Sequence, residues 1–135
     1  MSHPAGLPDL FIDRSLGRIQ VPGLLRAAGL RLVTLAEHYG IPADQDVADT
    51  TWLAEVGLRG WVALMKDENI RRNDAERMAV KQYAVRCFCL TRQSLTAQDM
   101  ADRFLRNLSA MERACSQPGP FIYAVYENRI LQLPL

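Results

Sequence analysis

Three aspartates in this 135-residue chain stand where carboxylates can hold a cation. Asp13 directly follows the apolar run Leu10-Phe11-Ile12. Asp67 follows Trp61-Val62-Ala63-Leu64-Met65 by way of Lys66, and Asp49 opens the segment "DTTWLAEVGLRG" just before that run. Carboxylates drawn together repel, and their pKa values rise unless a cation compensates. A hard divalent ion such as Mg²⁺ or Mn²⁺ matches oxygen ligands in octahedral geometry. Zinc has no comparable support: His3 lies in the N-terminal tail, His38 stands alone in a loop as a surface residue, and the three cysteines lack metal-type spacing. Acids at strand ends are common in themselves, because strand ends are wet. Basic residues lie beside these acids: Arg14 and Arg18, then Lys66, Arg71 and Arg72. Their simplest reading is solvated surface. Arg71 and Arg72 could also pair with Asp74 and Glu76, and Lys66 with Asp67.

The elements that must position these residues alternate between strand and helix. Leu10-Phe11-Ile12 reads as a first strand. "RIQVPGLLRAAGL" reads as a helix with Ile19, Leu24, Leu25 and Ala28 at helical spacing and Gly29 closing it. "LRLVTLAE" reads as a second strand, "HYGIPADQDVA" as a loop, and "DTTWLAEVGLRG" as a short helix capped by Asp49 or Thr50. "WVALM" is the third strand. "NDAERMAVKQY" is a helix with Asn73 as its cap and Glu76 three residues on. "AVRCFCL" is the fourth strand, with Cys87 and Cys89 on one face. "SLTAQDMADRFLRNLSAMERAC" reads as the longest helix, opened by Thr96 and Asp99 and striped with Met100, Phe104, Leu108 and Met111. "FIYAVYENRILQLPL" ends the chain as two strands around Glu127-Asn128. The two tryptophans, Trp52 and Trp61, fall in apolar periodic segments and read as core.

Such alternation predicts an α/β fold, three layers α/β/α around a mainly parallel sheet, whose ligands sit outside the carboxyl ends of the strands. Asp13 and Asp67 fall on that side. Asp49 joins them only if the loop before it folds over the strand tips. One domain over 1–135 is expected, with 1–8 as a flexible tail, and hydrophobic residues at 49% suffice for a core. No apolar run approaches the roughly 18 residues of a membrane span, and no secretory signal is visible. The cysteines are expected to stay reduced in a cytoplasmic setting. A net charge of +1, from 16 Lys+Arg and 15 Asp+Glu, argues against a general polyanion-coating surface but leaves room for segregated charge.

"LFIDRSLG", "DTTWLAEVGLRGWVALMKDENIRR" and "RCFCL" together resemble the PIN-like domain family of the VapC toxin type, over roughly residues 9 to 92. The K-D strand end and the D-x-x-W-L helix carry most of that resemblance. It implies a PIN-type fold, Mg²⁺ or Mn²⁺ dependence, ribonuclease activity and a cognate antitoxin, with a homodimer left open. Asp13, Asp49 and Asp67 match the family's metal-holding catalytic acids. The implied mechanism is in-line attack of a metal-activated water on an RNA phosphodiester, with Arg14, Lys66, Arg71 and Arg72 on the RNA backbone. The family often places a further acid after the next strand, where this chain has "LTRQS". That departure favours one ion over two, with Glu68 or Asp46 as substitutes. Two alternatives stand beside this reading. A PIN-like domain that no longer cleaves would act as a binding module. A receiver-type signalling domain would carry paired acids after its first strand, whereas this chain has Asp13 alone there.

Overall fold

The computed structural model describes residues 2–66, 70, 72–91 and 94–135. Its centre is a six-stranded sheet in the order β2-β1-β3-β4-β5-β6. The strands are β1 (Leu10–Ile12), β2 (Leu32–Thr34), β3 (Val62–Met65), β4 (Arg86–Leu90), β5 (Phe121–Val125) and β6 (Ile130–Gln132). The first five run parallel. Only β6 is antiparallel, pairing back on β5 as the expected terminal hairpin. The helices are α1 (Gln20–Ala27), α2 (Leu35–Tyr39), α3 (Asp49–Arg59), α4 (Asp74–Gln82), α5 (Ala97–Arg106) and α6 (Leu108–Ala114).

Parallel strands buried on both faces must be apolar throughout, and β3 is buried at all four positions. Successive residues then serve opposite layers. Leu10, Ile12, Val62, Leu64, Phe88 and Leu90 face α1, α5 and α6, against Leu25, Phe104 and Met111. Phe11, Ala63, Met65, Cys87 and Cys89 face the other way, against Leu35, Trp52, Leu53, Val56 and Val80. The fold is therefore three-layered α/β/α, as the sequence predicts. Cys87 and Cys89 do share one face. All three cysteines are buried and outside any disulfide, and burial pushes the Cys87 thiol up and the Cys115 thiol up to about 11, so neither of these two is a reactive thiolate.

Local structure departs from expectation in four places. The strand read in "LRLVTLAE" stops at Thr34, which caps α2 through a reciprocal box with Glu37; this side-chain capping offers the backbone an alternative to the ladder. His38 consequently sits on a helix, half-buried and packed edge-on against Tyr39 and Trp61, rather than as a loop surface residue. The long helix is broken at Asn107, whose buried amide donates to the carbonyls of Arg103 (2.7 Å) and Tyr126 (2.9 Å). Its apolar stripe nevertheless stays buried across both halves. The N-terminal segment packs instead of hanging free. Leu7 is buried in the core, and His3 accepts from the Arg31 N–H at Nδ1 while Nε2 donates to the Leu7 carbonyl.

α3 and α4 pack closely because Gly57 has no side chain. A Cβ there would lie 2.3 Å from the Tyr83 carbonyl oxygen and 2.7 Å from Tyr83 Cβ. Gly57→Ala must push the two helices apart, and overpacking of this kind costs about 1–3 kcal/mol. A lowered urea midpoint with an unchanged m-value is the expected readout.

Candidate active site

β1 lies between β2 and β3, so the chain leaves β1 to one side and returns on the other. Such a switch point opens a crevice at the strands' carboxyl ends. A cleft of about 190 Å³ lies there, lined by Asp13, Arg14, Ser15, Asp49, Trp52, Met65, Ile70 and Glu76. The tips of β1 and β3 are tied together. The Asp13 N–H donates to the Leu64 carbonyl at 3.1 Å. The Ser15 hydroxyl donates to Asp13 Oδ2 at 2.7 Å and accepts from the Lys66 N–H at 3.0 Å.

Asp13 is buried, at 8% exposure. Its Oδ2 also accepts from the Ser15 N–H, at 3.3 Å, which caps the 3-10 turn Arg14–Leu16. Its Oδ1 is buried without a hydrogen-bond partner. Burial pushes the Asp13 carboxyl above the ordinary range. The Ser15 bonds oppose that rise, and the nearby Asp49 charge adds to it. The other buried carboxylate among the described residues, Asp44, is paired with Arg18 at 3.1 Å. Leaving a buried acceptor unmade costs about 1–3 kcal/mol, so an unpaired oxygen in a cleft marks a place for a ligand.

Asp49 lies in the first turn of α3, where the helix dipole favours an anion. It does not cap the helix; Ala48 holds that position. The Trp52 indole donates to Asp49 Oδ1 at 2.9 Å. Burial pushes the Asp49 carboxyl up, but a hydrogen bond with Glu76, the Trp52 N–H and the Arg14 charge outweigh it and hold it below the ordinary value. Two hydrogen-bonded carboxyl groups share a proton and titrate as a pair.

Glu76 is thus an acid of the cleft that the sequence reading assigned to helix capping. Its N–H does accept that role, donating to Asn73 Oδ1 at 3.0 Å, while its carboxyl turns to Asp49. The available signal was an acid in the first turn of the helix that follows the site strand. Ser15 and the Trp52 N–H were also missed as supports; an Asp-x-Ser sequence is the local signal for the first.

Of the expected residues, the structure brings Asp13 and Asp49 to one cleft, so the loop before α3 does fold over the strand tips. Asp67, Glu68 and Arg71 lie outside the described residues. Lys66 is half-buried at the end of β3 and Arg72 is exposed. Asp46 is exposed in the 3-10 turn Ala43–Asp46. The guanidinium of Arg14 turns to the carbonyls of Gln45, at 3.2 Å, and Val47. Trp52 is a core residue at 1% exposure, while Trp61 is half-buried beneath the Arg59 guanidinium, 5.0 Å from its ring.

Among the described residues, no three His, Cys, Asp or Glu side chains form a ready-made metal group. The donor chemistry still fits a hard cation: carboxylate oxygens, one of which, Asp13 Oδ1, is buried without a hydrogen-bond partner. A depression of about 230 Å³ lined by Asp99, Asp102, Arg103, Arg106 and Glu127 differs in kind. Its acids are at least partly exposed, and Glu127 is paired with Arg106 at 3.1 Å. No described helix is long and apolar enough to cross a membrane.

A family model described as "PIN like domain" matches residues 8–92. The chain is also 46% identical over 129 residues to a curated protein of Mycobacterium tuberculosis (strain ATCC 25618 / H37Rv) named "Putative ribonuclease VapC45", an alignment spanning 96% of this chain and 94% of that one. No solved structure gives a significant match. The switch-point cleft, the parallel sheet and both comparisons agree: this chain belongs to the PIN-like domain family.

Proposed function

We propose that this chain is a divalent-metal-dependent ribonuclease of the VapC type, the toxin of a toxin–antitoxin pair. The observation that carries the metal reading is the buried, partnerless Oδ1 of Asp13 beside the hydrogen-bonded Asp49–Glu76 pair. The nuclease reading is supported by the 46% identity to a protein named a ribonuclease.

Asp13 and Asp49, with Asp67 from the β3–α4 connection, would hold one Mg²⁺ or Mn²⁺. When bound, such an ion acidifies water and stabilises charge growing on a phosphate. The chain's own residues prepare the place. Ser15 fixes the rotamer of Asp13, and the Trp52 indole fixes that of Asp49. Glu76 would hold Asp49 in place through the hydrogen bond between their carboxyl groups. Lys66 and Arg72, with Arg71, would attract the RNA backbone to the same edge. The cognate antitoxin would be a second protein acting in the cytoplasm with this one, and a homodimer is compatible with the proposal.

Purified protein incubated with single-stranded RNA is expected to cleave it in Mg²⁺ or Mn²⁺ and to stop on adding EDTA. A preparation of Asp67→Asn made in parallel should be inactive. Cleavage that survives chelation, or an equally active Asp67→Asn, would overturn the metal assignment.

A further inference from the structure

We infer that Arg14 is a positioning residue: its guanidinium clasps the loop before α3 and thereby sets where Asp49 stands, instead of meeting RNA. Arg14 follows Asp13 at the tip of β1, on the connection to α1. One terminal nitrogen donates to the Gln45 carbonyl at 3.2 Å and the other to the Val47 carbonyl. Val47 is two residues before Asp49. The N-cap between them, Ala48, has no side-chain oxygen and makes no capping bond. The start of α3 is therefore held from outside, by the chain that enters it.

A second attachment runs the same way. Arg18, also on the β1–α1 connection, pairs with buried Asp44 at 3.1 Å, one residue before Gln45. Two arginines from one loop thus grip the loop before α3 along a stretch of four residues. The planar fork of arginine suits two carbonyls at once, which a lysine ammonium on its single stem does not reproduce. These bonds take two of the guanidinium's five N–H donors and turn both terminal nitrogens toward the loop.

The inference rests on the reading that Asp13 and Asp49 hold a divalent ion, and it predicts a sign that mere proximity of charge does not. A cation beside a metal site repels the metal, so deleting an idle Arg14 should tighten Mn²⁺ binding or leave it unchanged. Deleting a clasp should weaken it, because Asp49 loses its place. Residues that support metal ligands cost about 10–100-fold in affinity when removed.

The test compares wild type, Arg14→Ala and Arg14→Lys. Mn²⁺ binding is followed by the electron paramagnetic resonance signal of free Mn²⁺. Amide hydrogen exchange of residues 43–51 is measured in EDTA. Binding of a fluorescent single-stranded RNA, also in EDTA, is measured against salt. We expect Mn²⁺ affinity to fall about 10–100-fold in both variants, exchange of 43–51 to speed up, and the salt slope to stay as in wild type. A salt slope reduced by about one with Mn²⁺ affinity unchanged or tighter would make Arg14 an RNA contact and overturn the inference. Full recovery of Mn²⁺ affinity by lysine would assign the effect to charge and overturn it too. Failure of wild type to bind Mn²⁺ would instead sink the metal reading of the site. In that case the exchange of 43–51 decides the clasp alone, unchanged exchange refuting it.

Discussion

Asp13→Asn is expected to abolish RNA cleavage while making the metal-free protein more stable at neutral pH. The two effects have one cause. Asp13 is buried, its Oδ1 has no partner, and burial raises its pKa in the folded state. Ionising it therefore costs the native chain more than the unfolded one. For an acid with a raised folded value, native stability is greatest below the unfolded pKa, near 3.8, and is lost as pH rises through the folded value. An amide keeps the shape and an acceptor for Ser15 but has no charge to bury. In EDTA, the melting temperature of Asp13→Asn should exceed that of wild type at pH 7, and the gap should close as pH falls toward 3.8. Cleavage in Mn²⁺ should fall by more than the roughly 100-fold that a lost supporting residue can cost. A variant that melts earlier than wild type in EDTA at pH 7 would make Asp13 a structural residue.

Trp52 has two separable jobs, and its two substitutions should divide them. The indole is 1% exposed and stacks on Phe11 with ring centroids 5.3 Å apart. Its N–H donates to Asp49 Oδ1 at 2.9 Å. Trp52→Ala empties the centre of one core layer, and such truncations cost about 3–5 kcal/mol. For a domain of this size that lowers the melting temperature by about 10–20 °C. Trp52→Phe keeps an aromatic ring against Phe11 but removes the donor. It should cost about 1–2 kcal/mol yet reduce cleavage about 10–100-fold, as loss of a ligand's hydrogen-bond partner does. Thermal melts and cleavage rates on both variants, measured below their melting points, check this. Wild-type activity in Trp52→Phe would show that Asp49 needs no such support.

Much of the fold was written in local pattern. Continuous apolar runs in the strands, the Asn73 and Thr96 caps and the apolar stripe from Met100 to Met111 are short-range signals that tertiary structure left in force. They suffice for the layer count, and the parallel order follows from strand–helix alternation. Placing Asp13 at a strand tip was equally local, since Asp13 simply follows β1. The sequence could not show that Thr34 and Glu37 end β2 early, because a capping box and a strand compete for the same backbone groups. It could not show the break at Asn107, whose amide is satisfied by the Tyr126 carbonyl 19 residues away. The site divides in the same way. Which acids were available was legible from position. Which oxygen stayed partnerless, that Glu76 would turn to Asp49, and that Arg14 would hold the loop over the strand tips depend on elements far apart in sequence meeting at one edge. The reason is physical: burial, hydrogen-bond satisfaction and carboxyl pairing are set by neighbours in space, and only the packed sheet and its loops decide who those neighbours are.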